Sequence, residues 1–288
     1  MYILTFDIEE WFHLLDIDSL ENVTNWSKYE VRIYENTYRI LDLLKKRNLK
    51  ATFFILGWVA EKYPDLIKLI SDQGHEIGTH SYSHLLIYKS SPDMFRKDLR
   101  KSIEIIEAVT GRKVRAFRAP GYSIKKDTMW ALKILIEEGI EYDSSIFPAM
   151  RGHGGIKDFE ILTPFVIKYN NRILKEFPIS VFNFLGNKIP FSGGGYFRLW
   201  PYVFIRYFFS NSKYVITYFH PRDFDPKQPL LQNMPFIRKF RAYYGLKNAY
   251  KKLQRLLEDY EFIDLSSADK SINWSSVPAV DLGTTQAW

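Results

Sequence analysis

With 288 residues, 46% of them hydrophobic, and no cysteine, the chain is long enough to bury a large apolar core, and a disulfide scaffold is excluded. Its formal charge of +7 suits an anionic partner, but the bases in segments such as LLKKRNLK and RKDLRKS are dispersed among acids, the pattern of a solvated surface, so no nucleic-acid partner is expected. The N-terminal MYILTFDIEEW shows no basic and then apolar leader pattern, and the aromatic stretch 196–209 is broken by Arg198, Pro201 and Arg206; neither a signal peptide nor a transmembrane segment is expected, the location is expected to be cytoplasmic, and 196–209 reads as core-packed in preference to a peripheral membrane contact.

In chain order, residues 2–7 read as a strand ending at Asp7, and 31–47 as an amphipathic helix with a cationic last turn. KATFFIL at 50–56 reads as a buried strand, 58–72 as a helix, and the segment around His75–Gly78 as a short strand. Residues 92–109 form a helix opened by Ser91 and Pro92 and closed at Gly111. A strand at 114–117, a helix from Lys125 to Gly139 and a strand at 140–143 follow. Beyond residue 150 the pattern loosens, with strands expected at 161–168, 173–177 and 214–219, a helix at 246–258 and a last strand near FIDL. Alternating strands and helices predict parallel βα units and one barrel-like domain over 1–270, with a tail at 271–288. No phosphate-binding glycine loop follows any strand, which removes support for nucleotide binding.

The polar residues Asp7, His80, Arg118, Asp143, Glu176 and His220 lie at or just past predicted strand ends. In a parallel barrel all those ends open on one face. HEIGTHSYSH places His80 and His84 four residues apart, where two neutral imidazoles can hold a zinc-like divalent ion. TFDIEE adds Asp7, Glu9 and Glu10; strand alternation puts Asp7 and Glu9 on one side, so one can be a ligand and the other a base, while Glu10 faces away. Arg118 in FRAPGY can keep a base carboxylate ionised, and the amide of Tyr122 is a candidate donor to an oxyanion. His220, after VITYF, is placed to act as a general acid. GGGY at 193–196 reads as a close backbone approach or a flexible turn, and Arg151 and His153 as cleft-lining residues with no assigned role.

Together TFDIEEW, HSYSH, RAPGY, YDSS and FHP resemble, in order and spacing, the motifs of the polysaccharide deacetylase family, the NodB-homology or carbohydrate esterase family 4 domain. KATFFILG and QGHEIGTHSYSH match its flanking sequence, and EFPIS, FSGGGYFRLWP and FHPRDFDPKQP resemble the subgroup of exopolysaccharide and O-antigen loci. The resemblance implies a distorted (β/α) barrel of about seven strands and a metal-dependent deacetylase. It implies a divalent ion, zinc first with cobalt, manganese, nickel or iron as substitutes, held by Glu9, His80 and His84. Asp7 would be the base, Arg118 its orienter, the Tyr122 amide an oxyanion donor and His220 the acid, with Asp143 and Glu176 supporting. The implied substrate is an N-acetylated amino sugar of a surface polysaccharide or of its lipid-linked or nucleotide-linked precursor. One departure is that the family's second adjacent aspartate is Ile8 here, so the carboxylate supply moves to Glu9. Other readings are a small-molecule amidohydrolase or deformylase, a carbohydrate-binding relative without catalysis, and an Fe(II) oxygenase triad, which the alternating βα pattern opposes.

Overall fold

The computed structural model describes residues 1–15, 17, 20, 22–150, 152–231 and 234–283. The chain opens with β1 (Tyr2–Ile3) and β2 (Thr5–Ile8), then α1 (Ile33–Lys46), β3 (Thr52–Ile55), α2 (Gly57–Lys62), α3 (Pro64–Asp72) and β4 (Glu76–Thr79). Next come α4 (Pro92–Thr110), β5 (Ala116–Phe117), α5 (Trp130–Glu137) and β6 (Tyr142–Asp143). After them follow β7 (Phe165–Tyr169), β8 (Arg172–Glu176), the hairpin β9 (Val181–Phe184) and β10 (Asn187–Pro190), α6 (Gly194–Leu199), α7 (Tyr202–Ser210) and β11 (Val215–Ile216). α8 (Phe236–Tyr243), α9 (Leu246–Asp259), α10 (Leu265–Ser271) and β12 (Ala279–Asp281) complete it.

Local chemistry accounts for the regular first half. Every residue of β2 and β3 is buried, as strands covered on both faces require, and the rings of Phe6 and Phe53 stack 5.2 Å apart between them. The helix expected at 58–72 is two helices, because Pro64 cannot donate a backbone hydrogen bond and disfavours helical geometry at Tyr63. α4 starts where Ser91 Oγ accepts from Met94 N, and ends at Gly111, whose φ of 65° is the left-handed conformation that glycine adopts freely.

The main sheet runs β12-β7-β8-β6-β5-β4-β3-β2 and is parallel except for the antiparallel β7–β8 pair. That hairpin departs from an all-parallel wall because two residues, Asn170 and Asn171, both at positive φ, turn the chain tightly back. On the other side β11 pairs in parallel with β1, Phe219 bridges Phe6, and Gly193 bridges Tyr218. Side chains span the remaining seam: Ser180 Oγ accepts from Ile216 N and Tyr214 OH donates to Pro178 O, both at 2.9 Å. The fold is thus an α/β barrel, distorted and mostly parallel. A Cβ at Gly193 would lie 2.1 Å from Tyr218 O, so GGGY does mark a close backbone approach.

Two further expectations change. Residues 196–209 are helices α6 and α7, with Phe197, Ile205, Phe208 and Phe209 buried but Leu199, Val203, Phe204 and Tyr207 exposed, so this stretch is only half core. Within the segment expected as a tail, Ala279–Asp281 pairs with β7. Arg151 and residues 284–288 lie outside the described residues.

Candidate active site

Parallel register places the strand ends side by side: Asp7 opposite Phe54, Ile55 opposite Thr79, Thr79 opposite Phe117, Phe117 opposite Asp143 and Asp143 opposite Glu176. Just past these ends Glu9, His80 and His84 converge, all buried, with one ligand atom from each lying within 4.8 Å of the others. His80 Nδ1 is 2.7 Å from the Arg118 carbonyl, an acceptor only, so Nδ1 carries the hydrogen and Nε2 keeps its lone pair for a ligand. Glu9 Oε2 is buried without a hydrogen bond and lies 2.7 Å from His84 Nε2. Such a contact is favourable only with a proton or a cation between the two atoms. Burial alone would raise the Glu9 carboxyl, but the charges of His84 and His220 outweigh it and hold the group far below the usual carboxylate range. Burial pushes His80 down to about 4, so it stays neutral at physiological pH, the state a metal requires. A donor set of one carboxylate and two imidazoles, with an orphaned buried oxygen among them, fits a zinc-type ion.

Asp7 is bound from the opposite side. Arg118, fully buried, donates from Nη1 to Asp7 Oδ1 at 2.6 Å and to Thr5 Oγ1 at 2.7 Å, and from Nη2 to Ser144 Oγ at 3.0 Å. Burial opposes the guanidinium charge, yet Asp7 beside it raises its pKa further. The second oxygen, Asp7 Oδ2, lies 3.7 Å from His220 Nε2. His220 Nδ1 is 2.8 Å from Asp223 Oδ2, and Arg198 Nε donates to Asp223 Oδ1 at 3.0 Å. Burial lowers the His220 pKa, but the Asp223 charge more than compensates and lifts it to about 9.

Several residues lie where the sequence did not put them. Asp143 is buried against Glu176 and accepts from Ser145 Oγ at 2.5 Å. Burial raises both carboxyls, Asp143 to about 6, and the Asp143 charge adds to the rise of Glu176. The Tyr122 amide is committed to Ala119 O at 3.0 Å within a turn, so the expectation of a free oxyanion donor is corrected; its ring packs against Phe147 and Tyr218. Glu10 does face away: Oε1 accepts from Arg32 N at 2.8 Å and Ile33 N at 2.9 Å, capping α1. Burial lifts it to about 7 against those donors. His75 is core, 4.9 Å from the Phe53 ring. Asp223, Arg198 and His13 escaped notice. Asp223 had a signal, since a residue three after a histidine in a tight turn can return to it. His13 is buried beside Trp26 and accepts Glu10 N at Nδ1, so Nε2 carries the hydrogen; its ring lies 6.1 Å from that of His84. Ser81, His84 and Tyr122 all have positive φ, a strain that clusters at this mouth.

Residues 19–137 match the family model described as polysaccharide deacetylase, and residues 144–270 match the one described as Domain of unknown function (DUF3473). Residues 19–137 thus belong to the polysaccharide deacetylase family. Asp7 and Glu9 precede the first matched segment and His220 falls in the second, so the site draws on both and on the strand before them. A peptidoglycan-N-acetylglucosamine deacetylase of Bacillus cereus is 42% identical over 98 residues, 34% of this chain and 36% of that protein. A peptidoglycan deacetylase of Helicobacter pylori is 34% identical over 108 residues, 38% of this chain and 36% of that protein. The chain spans about a third of the length of those curated relatives. A polysaccharide deacetylase-type crystal structure from Mycobacterium smegmatis shares the fold, with a TM-score of 0.66, 18% identity, and coverage of 96% of this chain and 91% of that one.

Proposed function

We propose that this polysaccharide deacetylase-family chain is a metal-dependent carbohydrate N-deacetylase. The observation that carries the reading is the Glu9–His80–His84 cluster, with Asp7 held on Arg118 and His220 held on Asp223 beside it. Glu9, His80 and His84 would hold a divalent ion, zinc by preference, and that ion would supply Lewis-acid chemistry to the hydrolysis. Arg118 holds Asp7 by Oδ1, leaving Oδ2 to take a proton from the attacking water. As the water oxygen bonds to the acyl carbon, that proton moves to Asp7. When the C–N bond breaks, His220 Nε2 gives its proton to the departing amine, and the products are a free amino sugar and a carboxylate. His220 is suited to the task because Asp223 keeps it protonated at neutral pH.

Asp143 and Glu176 support this site only through the Arg118 and Ser144–Ser145 neighbourhood, and Tyr122 forms its wall. The substrate we favour is an N-acetylated amino sugar of a surface polysaccharide or its lipid-linked or nucleotide-linked precursor. Support comes from the similarity to deacetylases of amino-sugar glycans and from the FHPRDFDP and FSGGGYFRLWP segments. Because its residues come from both matched segments, we take 1–270 to work as one unit. Incubation of the purified chain, loaded with zinc, with a panel of N-acetylated amino-sugar oligomers and precursors should release acetate stoichiometrically with free amine. No acetate from any member, with metal bound, would overturn the reading.

A further inference from the structure

Charge is distributed very unevenly along this chain. Residues 177–257 hold 13 of the 40 Lys and Arg but only 2 of the 33 Asp and Glu, a net +11 against −4 for the remainder. Those two acids, Asp223 and Asp225, are buried and paired. The same region carries much of the exposed large apolar surface. Leu185 at the β9–β10 tip, Val203 and Phe204 on α7, and Phe236, Ile237 and Phe240 on α8 all face solvent, Phe236 at 82% and Leu185 at 86% exposure.

These elements are fastened to one another. Phe182 of the hairpin packs on Phe208 of α7 at 4.9 Å, Trp200 donates to Pro190 O at 3.2 Å, and Arg198 of α6 donates to the carbonyls of Arg241 and Tyr244 at the end of α8. α8, FIRKFRAY, buries only Ala242. Its backbone, Arg238 and Tyr243 hold it down, with Arg238 donating to Leu15 O, Tyr243 OH to Pro229 O and Arg222 to Ala242 O, while Phe236 and Phe240 stay in water. A soluble face seldom leaves Phe, Ile and Phe exposed together without a partner.

We propose that this face docks in the plane of an anionic lipid leaflet. Short helices that interleave aromatic or aliphatic side chains with Lys and Arg bind there, the apolar groups entering the headgroup–acyl boundary and the bases meeting lipid phosphate. A twofold pairing of two such faces sets base against base, because the two acids of 177–257 are buried, which disfavours a second copy as the occupant. A polyanionic glycan satisfies the bases but leaves the exposed Phe and Ile uncovered. Among the described residues no helix is long and apolar enough to cross a membrane, so the contact is interfacial. Docking sets the site close to the headgroups, because Arg198 links the end of α8 to Asp223 and so to His220. The proposal stands apart from the hydrolase reading, since it concerns adsorption alone.

The test is co-sedimentation of the full chain with vesicles of phosphatidylcholine alone and of phosphatidylcholine with phosphatidylglycerol in equal parts. Binding to the anionic vesicles should exceed binding to the neutral ones by ~10-fold or more and fall with added salt, as surface electrostatics requires. The double variant Phe236→Ser/Ile237→Ser should lose ~10-fold or more of the anionic binding, as should the independent pair Val203→Ser/Phe204→Ser, each with unchanged melting temperature and metal content. The proposal is overturned by equal binding to both vesicles, by undiminished binding of both folded variants, by a soluble polyanion that competes fully while the apolar variants bind normally, or by a concentration-dependent dimer that these substitutions abolish.

Discussion

The two halves of the site are built by different means. Asp7, Glu9, His80, His84 and Arg118 follow the ends of the parallel strands β2, β4 and β5: Arg118 reaches Asp7 across the barrel mouth, and its own carbonyl orients His80. His220 is served locally instead. Its partner Asp223 sits one turn on, and Arg198 steadies that carboxylate from α6. The first half depends on register, which a single side chain cannot restore; the second depends on a turn whose members can be altered singly. Changes in the first should therefore abolish binding or chemistry, and changes in the second should retune protonation.

The largest effect expected is in the register-built half. Glu9→Ala or His84→Ala should strip the metal, read by elemental analysis, and lower turnover by ~10³-fold or more, the scale of several kcal/mol of Lewis-acid stabilisation. A variant that keeps stoichiometric metal removes that residue from the ligand set. Next, Asp7→Asn should retain metal yet lose ~10²-fold or more in kcat, as for a missing general base. It should also cost about 3–5 kcal/mol in denaturant unfolding, because Arg118 is then buried without its counter-charge. Near-normal turnover would assign the base elsewhere.

In the turn-built half, Asp223→Asn should cost ~10-fold in kcat at alkaline pH, consistent with loss of an acid–base orienter. The sign follows from His220. Burial pushes its pKa down, Asp223 pushes it up to about 9, and removing that charge lets the proton leave at lower pH. The alkaline limb of kcat should thus move to lower pH; an unmoved limb would limit Asp223 to a packing role. The smallest effect lies far from both halves. Ser91→Ala removes the α4 cap and should cost about 1 kcal/mol of stability with no change in turnover.

What the sequence by itself determined were the features whose cause is local or periodic. Strand burial in KATFFIL, the Ser91 and Gly111 caps of α4, and placement of Asp7, His80, Arg118 and His220 at strand ends all followed from spacing and residue type. The separation of Glu9 from Glu10 was also legible, since strand alternation sends neighbouring side chains to opposite faces; the Arg32 and Ile33 amides that occupy Glu10 were not. Tertiary structure alone decided the pairings between distant segments. Asp143 meets Glu176 through β6–β8 register, and Arg198 meets Asp223 through the packing of α6, contacts set by the summed geometry of many residues. It also decided which aromatic residues of 196–209 stay in water, because helical periodicity marks two faces but only the neighbouring elements determine which of them is covered.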